Sequence, residues 1–136
     1  MKYPPTSQSD VAALDRVRVV LVRTSLPRNI GSVARAMKTM GLHRLALVAP
    51  RSFPHPEAIA LASGASDVLD SAQVHASLNE ALAGVSLAIG LTARRRELSH
   101  QSSDMRTATA HLLEALDLGG EVALVFGTEM SGLSNE

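Results

Sequence analysis

Apolar runs of strand length alternate with helix-like stretches along almost the whole chain, and this alternation constrains the fold more than any other feature. In order they are VRVVLVRT, NIGSVARAMKTMG, RLALVAP, PEAIALAS, a short DVLDSAQVHA, SLNEALAG, VSLAIGLTA, TATAHLLEALDL and EVALVFG. The pattern predicts an α/β fold, a Rossmann-like parallel sheet with helices on both faces. Near-continuous Val, Leu and Ala in the strands predicts burial on both sides. In the first helix Ile30, Val33, Ala34 and Met37 fall on one apolar stripe, Arg35 and Lys38 are turned away from it, and Gly41 ends the helix. Ser77 and Glu80 form a capping box that starts a later helix. The opening residues, with paired prolines and Ser/Gln, read as a tail over 1–15, leaving one domain over 16–136.

A chain of 136 residues with 46% hydrophobic content is enough for one buried core. There is no cysteine, hence no disulfide framework or thiolate metal site, and MKYPPTSQSD lacks the pattern of a signal peptide. No run approaches the roughly 20 apolar residues that span a bilayer. The expected setting is cytoplasmic, without a membrane partner. Net charge is zero, but it is segregated: up to Arg51 nine basic residues face two acids, giving +7, and the remainder carries −7. That asymmetry suggests a basic face for phosphates. Tyr3, Phe53 and Phe126 are the only aromatics, too few for a base-stacking platform.

In open parallel sheets ligands bind beyond the carboxyl ends of the strands. The rule selects four loops: TSLPRN, APRSFPHP, TARRRELSHQSSD and GTEMSGLSNE. In Pro27-Arg28-Asn29-Ile30-Gly31 two readings stand side by side. Asn29 caps the helix and Gly31 permits close packing, or free N–H groups with Arg28 and Arg35 hold a phosphate or ribose edge. Arg94, Arg95 and Arg96 put positive charge after the fourth strand, either as a soluble loop or as a phosphate contact. Gly127 and Gly132 around Glu129 suggest backbone approaching a ligand closely. The dinucleotide fingerprint, the phosphate loop and the nucleophile elbow are absent, and five scattered histidines give no metal site.

Taken together, NIGSVARAMKTMG and LVFGTEMSGLSNE resemble the first and second motifs of the SPOUT superfamily of RNA methyltransferases, within it the TrmH/TrmJ branch. The likeness runs from about Val17 to Glu136. With TARRR after the fourth strand, it is closest to the enzymes that methylate cytidine or uridine ribose at nucleotide 32 of the tRNA anticodon loop. The resemblance implies S-adenosylmethionine as methyl donor, no metal, tRNA as partner, and a C-terminal trefoil knot. It also implies a homodimer in which Arg35 of one protomer serves the cofactor of the other. Carried over, Asn29, Arg35 and Glu129 are the catalytic positions; Thr92, Ala93, Arg94 and Gly127 line the cofactor pocket; Arg28, Lys38 and Arg95 are the RNA-binding candidates. The third motif, which completes the knot, is expected beyond Glu136, so the knot is expected to be incomplete in this chain.

The implied reaction is in-line attack of a ribose 2′-oxygen on a sulfonium methyl, which asks the protein to align two groups and handle one proton. Family precedent casts the Arg35 position as activator, yet a guanidinium offers no acceptor lone pair. Clamping the phosphate and hydroxyl fits its chemistry better. Glu129 is then expected to hold Asn29 or Arg35. Two other readings stand beside this one: a non-catalytic RNA-binding or dimerisation fragment, and a flavodoxin-like nucleotide binder.

Overall fold

A computed structural model describes residues 12–91 and 105–127. The elements are β1 (Val17–Val22), α1 (Pro27–Met40), β2 (Arg44–Val48), α2 (Pro56–Ala62), a 3₁₀ turn (Ser63–Ala65), α3 (Ser66–Asp70), β3 (Gln73–His75), α4 (Leu78–Ala81), β4 (Leu87–Leu91), α5 (Met105–Asp117) and β5 (Val122–Phe126). All five strands pair in parallel, in the order β3-β2-β1-β5-β4. The α/β alternation is therefore the one read from the sequence, with one revision. DVLDSAQVHA divides into α3 and a strand of only three residues, because Val68 and Leu69 turn into the core as a helical pair.

The strand order explains where the helices lie. Parallel strands need crossovers, and these are right-handed, so the direction in which the chain steps across the sheet selects the face. Steps β1 to β2, β2 to β3 and β4 to β5 go one way and put α1, α2, α3 and α5 on one face. The long step from β3 to β4 goes the other way and carries α4 to the opposite face. The side chains follow. Val17, Val19 and Leu21 join Ile30, Ala34, Met37, Val68 and Leu116 in one core, while Val20, Val22, Ala46, Val48, Ala123 and Val125 pack with Ala81, Leu78 and Leu82.

Burial on both sides holds for β1 and β2 but not for β4, whose residues alternate between half-buried and exposed. It is an edge strand, and Ala88 and Gly90 face the side where α4 is the only helix among the described residues.

Helix α1 keeps its predicted stripe: Ile30, Ala34 and Met37 are buried, Val33 half-buried, Arg35 and Lys38 exposed. Gly41 adopts φ 83° and closes the helix as a Schellman motif, its N–H donating to Lys38 O at 3.2 Å and the Leu42 N–H to Met37 O at 2.8 Å. The Ser77 hydroxyl accepts from Glu80 N, and Glu80 Oε1 accepts from Ala76 N, both at 3.2 Å, so the capping box forms one residue wider than the usual pattern. Two arginines brace the amino ends of the strands. Arg16 donates to Leu116 O and Gly120 O at the end of α5, and Arg18 donates to Ala81 O, Ala83 O and Glu121. No helix among the described residues is long and apolar enough to cross a membrane.

Gly31 is where α1 crosses α2. A Cβ there would fall on the Ala58 carbonyl oxygen, well inside contact distance, and 2.9 Å from Leu61 Cβ. Replacing Gly by Ala in a helix gains up to about 1 kcal/mol of propensity, but overpacking against backbone typically costs about 1–3 kcal/mol or more. Overpacking wins, so Gly31→Ala should lower unfolding free energy in urea by about 1–2 kcal/mol; an unchanged midpoint would mean the helices can separate freely.

Candidate functional site

The site edge lies at the carboxyl ends of the strands, around β1 and β5, where the chain has stepped in opposite directions from the centre of the sheet. Such a switch point leaves a crevice between loops that diverge to opposite faces. Register brings the relevant segments level: Phe126 lies opposite both Leu21 of β1 and Leu91 of β4. Half-buried Gly127 therefore leaves the sheet beside β1, next to the strand end from which the segment starting at Thr92 departs.

The loops at this edge are held to one another. Arg23 N donates to Val48 O at 2.8 Å, Ala49 N to His75 O at 2.9 Å, and Arg51 N to Thr24 O at 3.1 Å, with Thr24 buried. Arg23 and Ala49, each the first residue after its strand, have φ of 55° and 47°. Left-handed backbone at a residue with a Cβ costs of order 1 kcal/mol or more, and such strain concentrates at functional edges.

Asn29 is not the helix cap. The N-cap is Leu26, in extended conformation, with Pro27 in the first turn, and Asn29 N donates to Leu26 O at 3.0 Å. Proline explains the displacement: its fixed φ suits the first helical position, where an N–H has no partner to lose. Asn29 is half-buried in the first turn, and its amide makes no hydrogen bond among the described residues, so it is available to a ligand. Arg35 lies six residues further on, about 9 Å of helical rise, and on the exposed side of α1. Within one chain, then, Asn29 is at the strand-end edge, whereas Arg35 points away from the sheet. Arg28, Ser32, Arg35 and Thr39 form one exposed polar stripe.

Lys38 is engaged rather than free. Its ammonium meets Asp67 Oδ2 at 2.7 Å and links α1 to α3. The hydrogen bond from Lys38 holds the Asp67 carboxyl below its ordinary range. Thr92, Ala93, Arg94, Arg95 and Glu129 lie outside the described residues, as does the C-terminal segment where an incomplete knot was expected.

The basic segment resolves into two groups. At the amino ends of the strands Arg16 is taken up by carbonyls, and Arg18 and Arg44 share Glu121 at 2.7 and 3.3 Å. Arg28, Arg35 and Arg51 have neither an ion pair nor a side-chain hydrogen bond among the described residues. Arg51 was not singled out from the sequence, although the strand-end rule had already selected its loop. A cavity of about 390 Å³ lined by Ser86, Leu87, His111, Glu114, Ala115, Leu118 and Gly120 opens instead at the amino end of β4, away from this edge. No group of three or more potential metal ligands occurs among the described residues.

Fold and edge together define an α/β domain with a switch point between β1 and β5 of a parallel sheet, the place where such sheets bind ligands. The chain belongs to the SpoU rRNA Methylase family, whose profile matches residues 16–136. It is 56% identical over 123 residues to the tRNA (cytidine/uridine/adenosine-2′-O-)-methyltransferase TrmJ of Pseudomonas aeruginosa, covering 90% of this chain and 48% of that protein. To the tRNA (cytidine/uridine-2′-O-)-methyltransferase TrmJ of Salmonella typhimurium it is 52% identical over 124 residues, 90% of this chain and 50% of that one. The chain thus spans about half the length of these curated relatives. Among solved structures, a probable methyltransferase from Bordetella pertussis superposes with TM-score 0.87 at 50% identity, over 92% of this chain and 76% of that one. TrmJ from Z. mobilis superposes with TM-score 0.71 at 35% identity, over 87% and 52%.

The Lys38–Asp67 pair yields a pH prediction. Because the folded-state value of Asp67 is depressed, what the pair contributes is present above the unfolded value and is lost as pH falls through the folded one. In Lys38→Met the Asp67 carboxyl should titrate in the ordinary range, and acid should no longer remove that contribution. A carboxyl NMR titration of both proteins reads this; an Asp67 midpoint unmoved by the substitution refutes it.

Proposed function

We propose that this chain is the methyl-transferring domain of an S-adenosylmethionine-dependent tRNA ribose 2′-O-methyltransferase acting on cytidine or uridine at nucleotide 32 of the anticodon loop. A tRNA substrate goes with a cytoplasmic setting. The observation that carries the reading is the register at the switch point, in a chain so similar to named tRNA 2′-O-methyltransferases. Gly127 emerges beside β1 and next to the strand that leads to Thr92, Ala93 and Arg94, so residues far apart in sequence start from one edge. That arrangement fits a ligand with a long polar edge, held by backbone and small side chains. When bound, S-adenosylmethionine supplies an electrophilic methyl group.

The chain's own residues then position and polarise. Asn29, in the first turn of α1 with its amide unspent, orients a polar edge of the ligand or ribose. Arg35 clamps the ribose hydroxyl and its adjacent phosphate, lowering the cost of negative charge on the attacking oxygen. Glu129 holds Asn29 or Arg35 in place. The outward direction of Arg35 supports a homodimer in which each protomer lends Arg35 to the other's site. Leu26 and Leu61, exposed near the α1–α2 crossing, offer apolar surface to such a contact.

Methyl transfer from labelled S-adenosylmethionine to tRNA is the direct test, with the product nucleoside located by digestion and mass spectrometry. Transfer to a base nitrogen or carbon, or none at all, would overturn the reading. Arg35→Lys keeps the charge and loses the two-pronged geometry; it should reduce transfer by roughly 10²-fold or more. A rate near that of the unsubstituted protein would rule out the clamp.

A further inference from the structure

The loop that follows β2 carries a contact that the strand-end rule alone did not isolate. From Arg16 to Pro56 the chain contains eight basic residues and not one Asp or Glu. The fold sorts them. Arg16, Arg18 and Arg44 are consumed at the amino ends of the strands by carbonyl groups and Glu121, and Lys38 is held by Asp67. Arg28, Arg35 and Arg51 are left exposed, with no acid paired to any of them among the described residues; Arg28 sits in the first turn of α1 and Arg51 on the adjoining β2–α2 loop. The backbone segments that carry Arg28 and Arg51 are also tied together. Arg51 N donates to Thr24 O, tying the β2–α2 loop to the short segment that enters α1 one residue before Arg28. The first residue of each loop is held in left-handed backbone.

An exposed guanidinium whose backbone is anchored, and which has no counter-charge of its own, is suited to a phosphate oxygen. We infer that Arg51 together with Arg28 forms a phosphate-binding pair that grips the RNA backbone beside the methyl-transfer edge, with Arg51 supplying the contact from the second loop. The inference rests on the proposed RNA substrate. It adds to it a defined anchoring point whose contribution is independent of the RNA sequence, because phosphates position a nucleic acid and bases specify it. The site does not require an ordered metal or a base-stacking aromatic, which agrees with the scarcity of aromatics in the chain.

The test is the salt dependence of tRNA binding by the whole chain, measured by fluorescence anisotropy between about 50 and 200 mM salt. Each arginine that neutralises one phosphate contributes about 0.7 to 0.9 to the slope of log affinity against log salt. Arg51→Gln should lower the slope by about that amount, and Arg28→Gln with Arg51→Gln by about twice it. Arg51→Lys should restore most of the slope, since an ammonium still meets a phosphate as a point charge. Gln73→Glu makes the same change in net charge at the exposed amino end of β3 and should leave the slope nearly unaltered. A slope unchanged in Arg51→Gln, or reduced equally by Gln73→Glu, overturns the pair. Methyl transfer by the unsubstituted protein is scored in parallel. If transfer to tRNA persists while Arg51→Gln binds with an unchanged slope, only the phosphate pair fails. If the unsubstituted protein neither binds tRNA nor methylates it, both readings fall.

Discussion

Right-handed crossover between parallel strands is the constraint on which the rest of this structure depends. A twisted strand followed by a helix can return to the sheet beside its neighbour in one hand only. Once β2 and β3 are laid to one side of β1, the chain has to cross the sheet to place β4, and α4 changes face as a result. That reversal creates the switch point next to β1 and leaves β4 at an edge. It also brings the ends of β1, β4 and β5 level, although about a hundred residues separate the first of these strands from the last.

Packing then fixes how the two loops at the edge approach each other. Helix α1 can lie close against α2 because Gly31 presents no side chain toward Ala58, and the Schellman end at Gly41 sends Leu42 back into the core before β2 begins. The helix is thereby held at both ends. Backbone hydrogen bonds from Arg23, Ala49 and Arg51 join the strand-end loops into one surface. The strained conformations at Arg23 and Ala49 are tolerated because those hydrogen bonds and buried Thr24 hold the segment in place.

Electrostatics follows the same division. A chain with zero net charge offers no overall attraction to polyanions, but the positive charge is concentrated in its first part and the fold spends only some of it. Arginines at the amino ends of the strands bind carbonyls and Glu121, where partial burial makes satisfied hydrogen bonds necessary. Arg28 and Arg51, toward the carboxyl ends, have no ion pair among the described residues. This uneven use of similar side chains leaves unpaired positive charge toward one edge among the described residues of a chain with no net charge.

The βαβ alternation, the apolar stripe of α1, the glycine stop at Gly41 and the capping box at Ser77 were all legible in the sequence, because each depends on residues a few positions apart. So, through the two motifs, was the family. The position of the cap at Leu26 rather than Asn29 was missed, since Pro27 and Asn29 both favour a helix start and local preference does not choose between them. The sequence by itself determined which segments become strands and helices and which side chains are available for chemistry. Tertiary structure alone decided the strand order, the exposure of β4, and which arginines are taken up by carbonyls and Glu121 and which have no ion pair among the described residues. Those outcomes depend on contacts between residues distant in the chain, such as Arg18 with Glu121 and Gly31 with Ala58, and no local periodicity encodes them.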